Sequence, residues 1–176
     1  LRENKIFSSL KKIKDVNGRL ELIRTFSNKV KVYVDFAHTP DALEKALKSL
    51  QSYYGRDITL VFGCGGDRDF KKRPIMAKIA SINCKKIYVT DDNPRNEDPK
   101  KIRNEIIKNI KFTNYFNIGN RTRAIETAVM NAEPGEIILV AGKGHEKEQI
   151  YKNKIISISD SQIIKKLKIK TKKTVS

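Results

Sequence analysis

Four short polar segments hold most of this chain's chemical possibilities, and each follows an apolar run of strand-like composition. Asp35-Phe36-Ala37-His38-Thr39-Pro40 follows Val30 to Val34, and Gly63-Cys64-Gly65-Gly66-Asp67-Arg68-Asp69 follows Ile58 to Phe62. Thr90-Asp91-Asp92-Asn93-Pro94-Arg95 follows Ile87 to Val89, and Ala141-Gly142-Lys143-Gly144-His145-Glu146 follows Ile137 to Val140. A guanidinium is a planar fork of donors matched to a carboxylate, which makes Arg68 and Arg95 candidate carboxylate clamps. Asp92 and Glu146 can receive an ammonium, and Asn93 offers both a donor and an acceptor. Pro94 stiffens its loop and drives Asn93 toward an extended backbone, fixing where Arg95 projects. Acidic groups opposite two arginines describe a receptor for a zwitterion.

Plainer readings stand beside these. The glycine segment is also a tight turn with Arg68 paired to Asp67 or Asp69 on the surface. Asn93-Pro94 is also an ordinary turn leading into a helix. His145 is a base or, more simply, an orienting hydrogen-bonder. His38 sits at a helix start where phosphate is welcome, or is a structural neighbour of the cap. Asp35 ends a strand and can accept a ribose hydroxyl. Neither glycine-rich segment has the spacing of a dinucleotide fingerprint or of a phosphate-binding P-loop.

The elements that must position these loops alternate. A strand pair is expected at Arg19 to Phe26 and Val30 to Val34, after an Asn17-Gly18 turn. Thr39 as cap, Pro40 at the first helical position and Asp41 in the first turn start a helix with Leu43, Ala46, Leu47 and Leu50 on its buried face. A second helix is expected from near Pro74 through Ser81. A third follows Asp98-Pro99, with Ile102, Ile106, Ile107 and Ile110 as its stripe. After a short strand near Tyr115 to Ile118, Asn120 caps a fourth helix with Ala124, Ile125, Ala128 and Val129 inward. A hairpin around Lys152-Asn153 and a last helix from Asp160 complete the chain. Such alternation predicts a Rossmann-like α/β fold, a doubly wound and mostly parallel sheet with helices on both faces. In that fold ligands bind at the carboxyl ends of the strands, where all four segments fall.

The chain has 176 residues, 39% hydrophobic and 32% charged, which suits one compact domain. No apolar run reaches the roughly 18 residues that span a bilayer. Cys64 and Cys84 have neither metal-ligand spacing nor a disulfide framework, as expected of packing thiols in a reducing cytoplasm. The net charge of +17 raises a nucleic-acid interface as an alternative. Much of that excess lies in helix faces and in a basic tail (Lys165, Lys166, Lys168, Lys170, Lys172, Lys173), with no aromatic platform for bases. It is read as solvated surface and attraction for anions.

In order along the chain, Gly18-Arg19-Leu20-Glu21 and the four loop segments resemble the carboxyl-terminal domain of the Mur ligases, from about residue 17 to 165. The resemblance implies a cytoplasmic three-domain ligase of peptidoglycan precursor synthesis, with ATP and Mg2+ bound mainly by a central domain. Residues 1–17 would then be the tail of that central domain, and 18–176 the domain that delivers the amino acid. It implies activation of a UDP-N-acetylmuramoyl-dipeptide carboxylate as an acyl phosphate, followed by attack of the incoming amine. Arg68, Asp92, Asn93, Pro94, Arg95, Gly142 and Glu146 match the amino-acid pocket of the family. Arg19, Asp35 and His38 match its nucleotide-facing edge. The Asp-Asn-Pro-Arg form resembles the version associated with meso-diaminopimelate, with a lysine-adding or other Mur-type ligase as the alternative. No Walker A motif and no magnesium-carboxylate cluster occur in the sequence. The chain is therefore expected to bind no metal itself, to hold no catalytic residue of its own and to be inactive alone.

Overall fold

In the computed structural model the described residues are 18–55, 57–111 and 114–168. The expectation for residues 1–17 and that for Lys170, Lys172 and Lys173 lie outside them. The strands are β1 (Glu21–Thr25), β2 (Lys31–Asp35), β3 (Ile58–Phe62), β4 (Cys84–Val89), β5 (Tyr115–Asn117), β6 (Ile137–Ala141), β7 (Glu148–Tyr151) and β8 (Lys154–Ser157). The helices are α1 (Pro40–Tyr54), α2 (Lys72–Asn83), α3 (Pro99–Ile107), α4 (Arg121–Met130) and α5 (Asp160–Lys166).

Six strands form one sheet in the order β1-β2-β6-β3-β4-β5. β2, β6, β3, β4 and β5 run parallel, and β1 closes one edge antiparallel. β3 and β6, at the centre, are buried along their whole length, as expected of strands covered on both faces. Leu60, Phe62, Ile87 and Leu139 pack with Leu43, Leu47, Met76 and Ala80 of α1 and α2 on one side. Val32, Val61, Tyr88 and Val140 pack with Ala124, Ile125 and Ile164 on the other. The expected doubly wound sheet is the observed one.

Local chemistry sets the helix starts. Thr39 Oγ1 accepts from the Ala42 amide at 3.3 Å, an Asp98 carboxylate oxygen from Lys100 at 2.9 Å and Asn120 Oδ1 from Arg123 at 2.9 Å. One start differs from expectation: α2 begins at Lys72, two residues before Pro74, and has no side-chain cap. Proline is tolerated there because first-turn amides have no partner within the helix.

Two buried polar knots hold the layers together. Glu136, 3% exposed, accepts from the Thr59 hydroxyl and lies near Lys85 and Lys86. Arg73, 1% exposed, bridges Glu97 at 2.8 Å and Glu105 at 2.7 Å. The Arg73 hydrogen bond lowers the Glu97 pKa against its partial desolvation, helped by the Asp67 amide. Burial pushes Glu136 up, but the Thr59 hydroxyl, the Glu133 amide and the two lysines outweigh it and the net shift is down. A carboxylate held below its unfolded value contributes stability that is complete above that value and is lost as pH falls through the folded one. The stability gap between the wild-type chain and Glu136→Gln, read from urea midpoints, should therefore be widest near neutrality and shrink below about pH 4.5, the ordinary value for this group. A gap that stays constant with pH would show that the charge of Glu136 is not what stabilises.

Candidate functional site

The carboxyl ends of β2, β6, β3 and β4 converge on one cavity of about 480 Å³. Its lining includes Arg68, Asp92, Asn93, Arg95, Gly142 and Glu146, with His38 at the mouth. Six of the seven residues expected to bind an amino acid thus line one space. Pro94, the seventh, is buried and acts through its backbone: its carbonyl accepts from Glu97 at 3.1 Å. A Cβ on Gly66 would lie 1.9 Å from that carbonyl, so only glycine lets the β3 and β4 loops touch here.

Arg95 is positioned by its own main chain. Its amide donates to Ile150 at 3.0 Å and its carbonyl accepts from Lys152 at 2.6 Å, fastening it to the β7–β8 hairpin with φ at +52°. Its Nη1 donates to the Gly66 carbonyl at 2.8 Å and to the Asn93 carbonyl at 3.3 Å. Nε and Nη2 make no hydrogen bond among the described residues, which leaves one edge of the fork for a ligand. β7 also pins the loop before Arg95. Gln149 Nε2 donates to the Asp91 and Asp92 carbonyls at 3.0 and 2.6 Å, and Tyr151 donates to Asp91 at 2.9 Å. Arg103 completes that support with an ion pair to Asp91.

Asp92 is 8% exposed, and its carboxylate makes no hydrogen bond among the described residues. A Cβ on Gly142, where φ is +114°, would meet Asp92 Oδ2 at 2.6 Å. Glu146 sits across the cavity with one oxygen, Oε2, accepting from Asn93 Nδ2 at 3.3 Å and from Lys143 Nζ at 3.1 Å. Arg68 is exposed at the rim and makes no ion pair among the described residues, so the surface pairing with Asp67 or Asp69 is not formed. Asp67 instead accepts from Asn96 Nδ2 at 2.7 Å.

The nucleotide-edge candidates are placed differently from one another. Arg19 is exposed, with its guanidinium 4.9 Å from the centre of the Phe36 ring. His38 is exposed too, its Nδ1 2.8 Å from the Phe36 carbonyl and its ring edge-on to Phe36. Asp35 is buried: Oδ2 accepts from Leu20 at 2.6 Å and Oδ1 from Ala37 at 2.7 Å. Its carboxylate therefore builds the turn that carries Phe36 and His38. His145 is exposed beside Phe36. Cys64 touches the cavity wall, yet burial pushes its thiol up to about 12, so it is no nucleophile. Among the described residues no group of three or more His, Cys, Asp or Glu side chains is arranged to hold a metal ion.

Sequence reasoning does not mark four buried cations behind the loops: Arg73, Arg103, Arg121 and Lys143. Arg73 donates to the Gly65 carbonyl at 3.2 Å as well as to its two carboxylates. Arg121 grips Asp160 with two hydrogen bonds and the Ala141 carbonyl with a third. A signal existed for Arg73 and Arg121. Arg121 is in phase with Ala124, Ile125 and Ala128, and Arg73 with Met76, Ala77 and Ala80, at the i, i+3, i+4, i+7 spacing of a buried stripe.

A cavity lined by both signs of charge lies at the carboxyl edge of a doubly wound sheet, the place where α/β domains of this kind bind small molecules. The chain belongs to the Mur ligase family: residues 18–144 match the family described as Mur ligase, glutamate ligase domain. It is 45% identical over 91% of its length to 33% of the UDP-N-acetylmuramoyl-L-alanyl-D-glutamate--2,6-diaminopimelate ligase of Rickettsia bellii. The ligase of the same name from Buchnera aphidicola is 45% identical over 88% of this chain and 31% of that protein. A solved structure of a ligase with this name superposes with a TM-score of 0.78 at 36% identity, over 90% of this chain and 32% of that one. A folylpolyglutamate synthase from Thermotoga maritima follows the same fold at a TM-score of 0.58 and 27% identity, over 80% of this chain and 30% of that one. The chain spans about a third of the length of the curated relatives it matches.

Proposed function

We propose that residues 18–176 are the amino-acid-delivering domain of an ATP-dependent ligase that joins meso-diaminopimelate to UDP-N-acetylmuramoyl-L-alanyl-D-glutamate. The observation that carries this reading is the pairing, in one cavity, of Arg68 and Arg95 with Asp92 and Glu146. Diaminopimelate has an amino group and a carboxylate at each end, so two guanidiniums can meet its two carboxylates and the two acidic side chains one ammonium, leaving the other amine free. ATP, held with Mg2+ mainly by a central domain that residues 1–17 would adjoin, supplies the phosphoryl group that activates the dipeptide carboxylate. This domain then works by positioning. Arg95 and Arg68 hold carboxylates, Asp92 and Glu146 hold an ammonium, and the remaining amine is presented to the activated carbon. Arg19 and His38 face the nucleotide, with Asp35 acting through the turn it fixes. The setting is the cytoplasm; among the described residues no helix is long and apolar enough to cross a membrane.

Two measurements test the reading. Calorimetric titration of the 176-residue chain should detect meso-diaminopimelate and not lysine. Phosphate release by the full protein, with ATP, Mg2+ and the UDP-dipeptide, should require meso-diaminopimelate and be absent from the chain alone. Turnover with lysine would keep the family and reject the assigned amino acid. Salt-sensitive binding of oligonucleotides with no amino-acid binding would reject the whole reading in favour of the charge.

A further inference from the structure

Lys143 is 1% exposed, does not line the cavity, and still directs its ammonium at two cavity residues. Nζ lies 3.1 Å from Asn93 Oδ1 and 3.1 Å from Glu146 Oε2. Asn93 Nδ2 closes the ring by donating to the same Glu146 oxygen at 3.3 Å. The arrangement admits one orientation of the Asn93 amide. An ammonium and a main-chain amide are donors only, and both Lys143 Nζ and the Ile150 amide, at 3.1 Å, approach the same Asn93 atom. That atom must be the oxygen, so the amide nitrogen is the one that faces Glu146.

The consequence falls on Glu146. Its side chain is 37% exposed, long enough to swing into solvent, and held by these two donors alone among the described residues. Both bind Oε2, which leaves Oε1 unbonded and the carboxylate fixed at the cavity wall. We propose that Lys143 is a positioning residue of the amino-acid pocket: without touching the ligand, it orients Asn93 and Glu146 so that Glu146 Oε1 accepts the ligand's ammonium. Gly142 and Gly144 flank it, and the Glu146 amide donates to the Lys143 carbonyl at 2.9 Å, so the cation and its carboxylate share one tight turn. The inference rests on the reading of the cavity given above.

The test uses the full protein and three variants: Lys143→Met, Glu146→Gln and the double variant. Lys143→Met should raise the KM for meso-diaminopimelate by on the order of 10- to 100-fold, leaving the KM for ATP within about twofold. The double variant should be no worse than Glu146→Gln, because residues acting through one another do not add. Lys143→Arg should not restore binding, since a planar fork does not fit where a compact ammonium is enclosed. If Lys143→Met does not fold, Lys143→Gln keeps a donor without the charge, and the same non-additivity with Glu146→Gln is expected. A lowered melting midpoint with unchanged KM, or effects that multiply in the double variant, would overturn the inference alone. Wild-type protein with no turnover dependent on the amino acid would overturn the cavity reading and this inference with it.

Discussion

Replacing Arg95 with alanine in the full protein should lower kcat/KM for meso-diaminopimelate by on the order of 10²- to 10⁴-fold and abolish the preference for that amino acid over lysine. The magnitude follows from the hydrogen bonds at stake. Each bond to a charged group contributes about 1.5–3 kcal/mol, and the free edge of the Arg95 fork offers two, from Nε and Nη2. The loss of preference follows from what lysine lacks. Lysine carries an ammonium but no second carboxylate, so in the wild-type pocket it leaves the guanidinium without a partner. Once Arg95 is gone, both amino acids meet the same pocket end, and their kcat/KM values should fall within about tenfold of each other. The fold should hardly respond. The strained φ of +52° at position 95 is shared by arginine and alanine, and the two main-chain bonds to the β7–β8 hairpin remain. An Arg95→Ala enzyme that keeps its full preference for meso-diaminopimelate would sink the assignment of this residue. Arg95→Lys should not rescue, because a single ammonium cannot be held by both Gly66 and a ligand carboxylate in the same geometry.

What could be read from the sequence and what could not divide along a physical line. The loops were legible because glycine, proline and charged residues at strand ends have local consequences, and the Thr39, Asp98 and Asn120 caps act within three residues of themselves. The start of α2 was misplaced by two residues because it has no cap and Pro74 imitates a first-turn signal. Lys143 has no legible role in the sequence, since its partner Asn93 is 50 residues away and nothing local marks a lysine as buried. For Asp35 the sequence suggests an acceptor for a ribose hydroxyl; its two structural partners, the Leu20 amide just before β1 and the Ala37 amide just after β2, emerge only with the fold. Pairings that cross the sheet are set by topology, and topology appears only when the strands are ordered.

The Arg121–Asp160 pair is where such a crossing should cost most. Both side chains are fully buried, Nε and Nη2 meet the two carboxylate oxygens at 2.8 and 2.7 Å, and Nη2 also donates to the Ala141 carbonyl at 3.0 Å. Nη1 is buried with no hydrogen-bond partner among the described residues. Burial alone would pull the guanidinium pKa down; the charge and hydrogen bonds of Asp160, then the charges of Asp92 and Glu146, reverse that. Asp160→Ala would leave a buried cation whose nearest compensation is the pocket's own carboxylates. Breaking such a pair costs about 3–5 kcal/mol, a large share of the roughly 5–15 kcal/mol that holds a domain together. The loss should be concentrated in α5. That helix is tied at its start by Asp160 and at its end by Arg24, whose Nη1 donates to the Lys165 and Leu167 carbonyls at 2.8 and 2.6 Å. Urea unfolding of the chain should therefore show a markedly lower midpoint for Asp160→Ala, and hydrogen exchange should report α5 opening first. Replacing both partners, as Arg121→Met with Asp160→Leu, should recover much of the loss, because a matched apolar pair removes the stranded charge. A double variant as unstable as Asp160→Ala would mean that the hydrogen bond to Ala141, and not the ion pair, anchors the end of β6. In that case the loop carrying Lys143 and Glu146 should loosen more in the double variant, which alone lacks that bond, and meso-diaminopimelate binding should weaken more there than in Asp160→Ala.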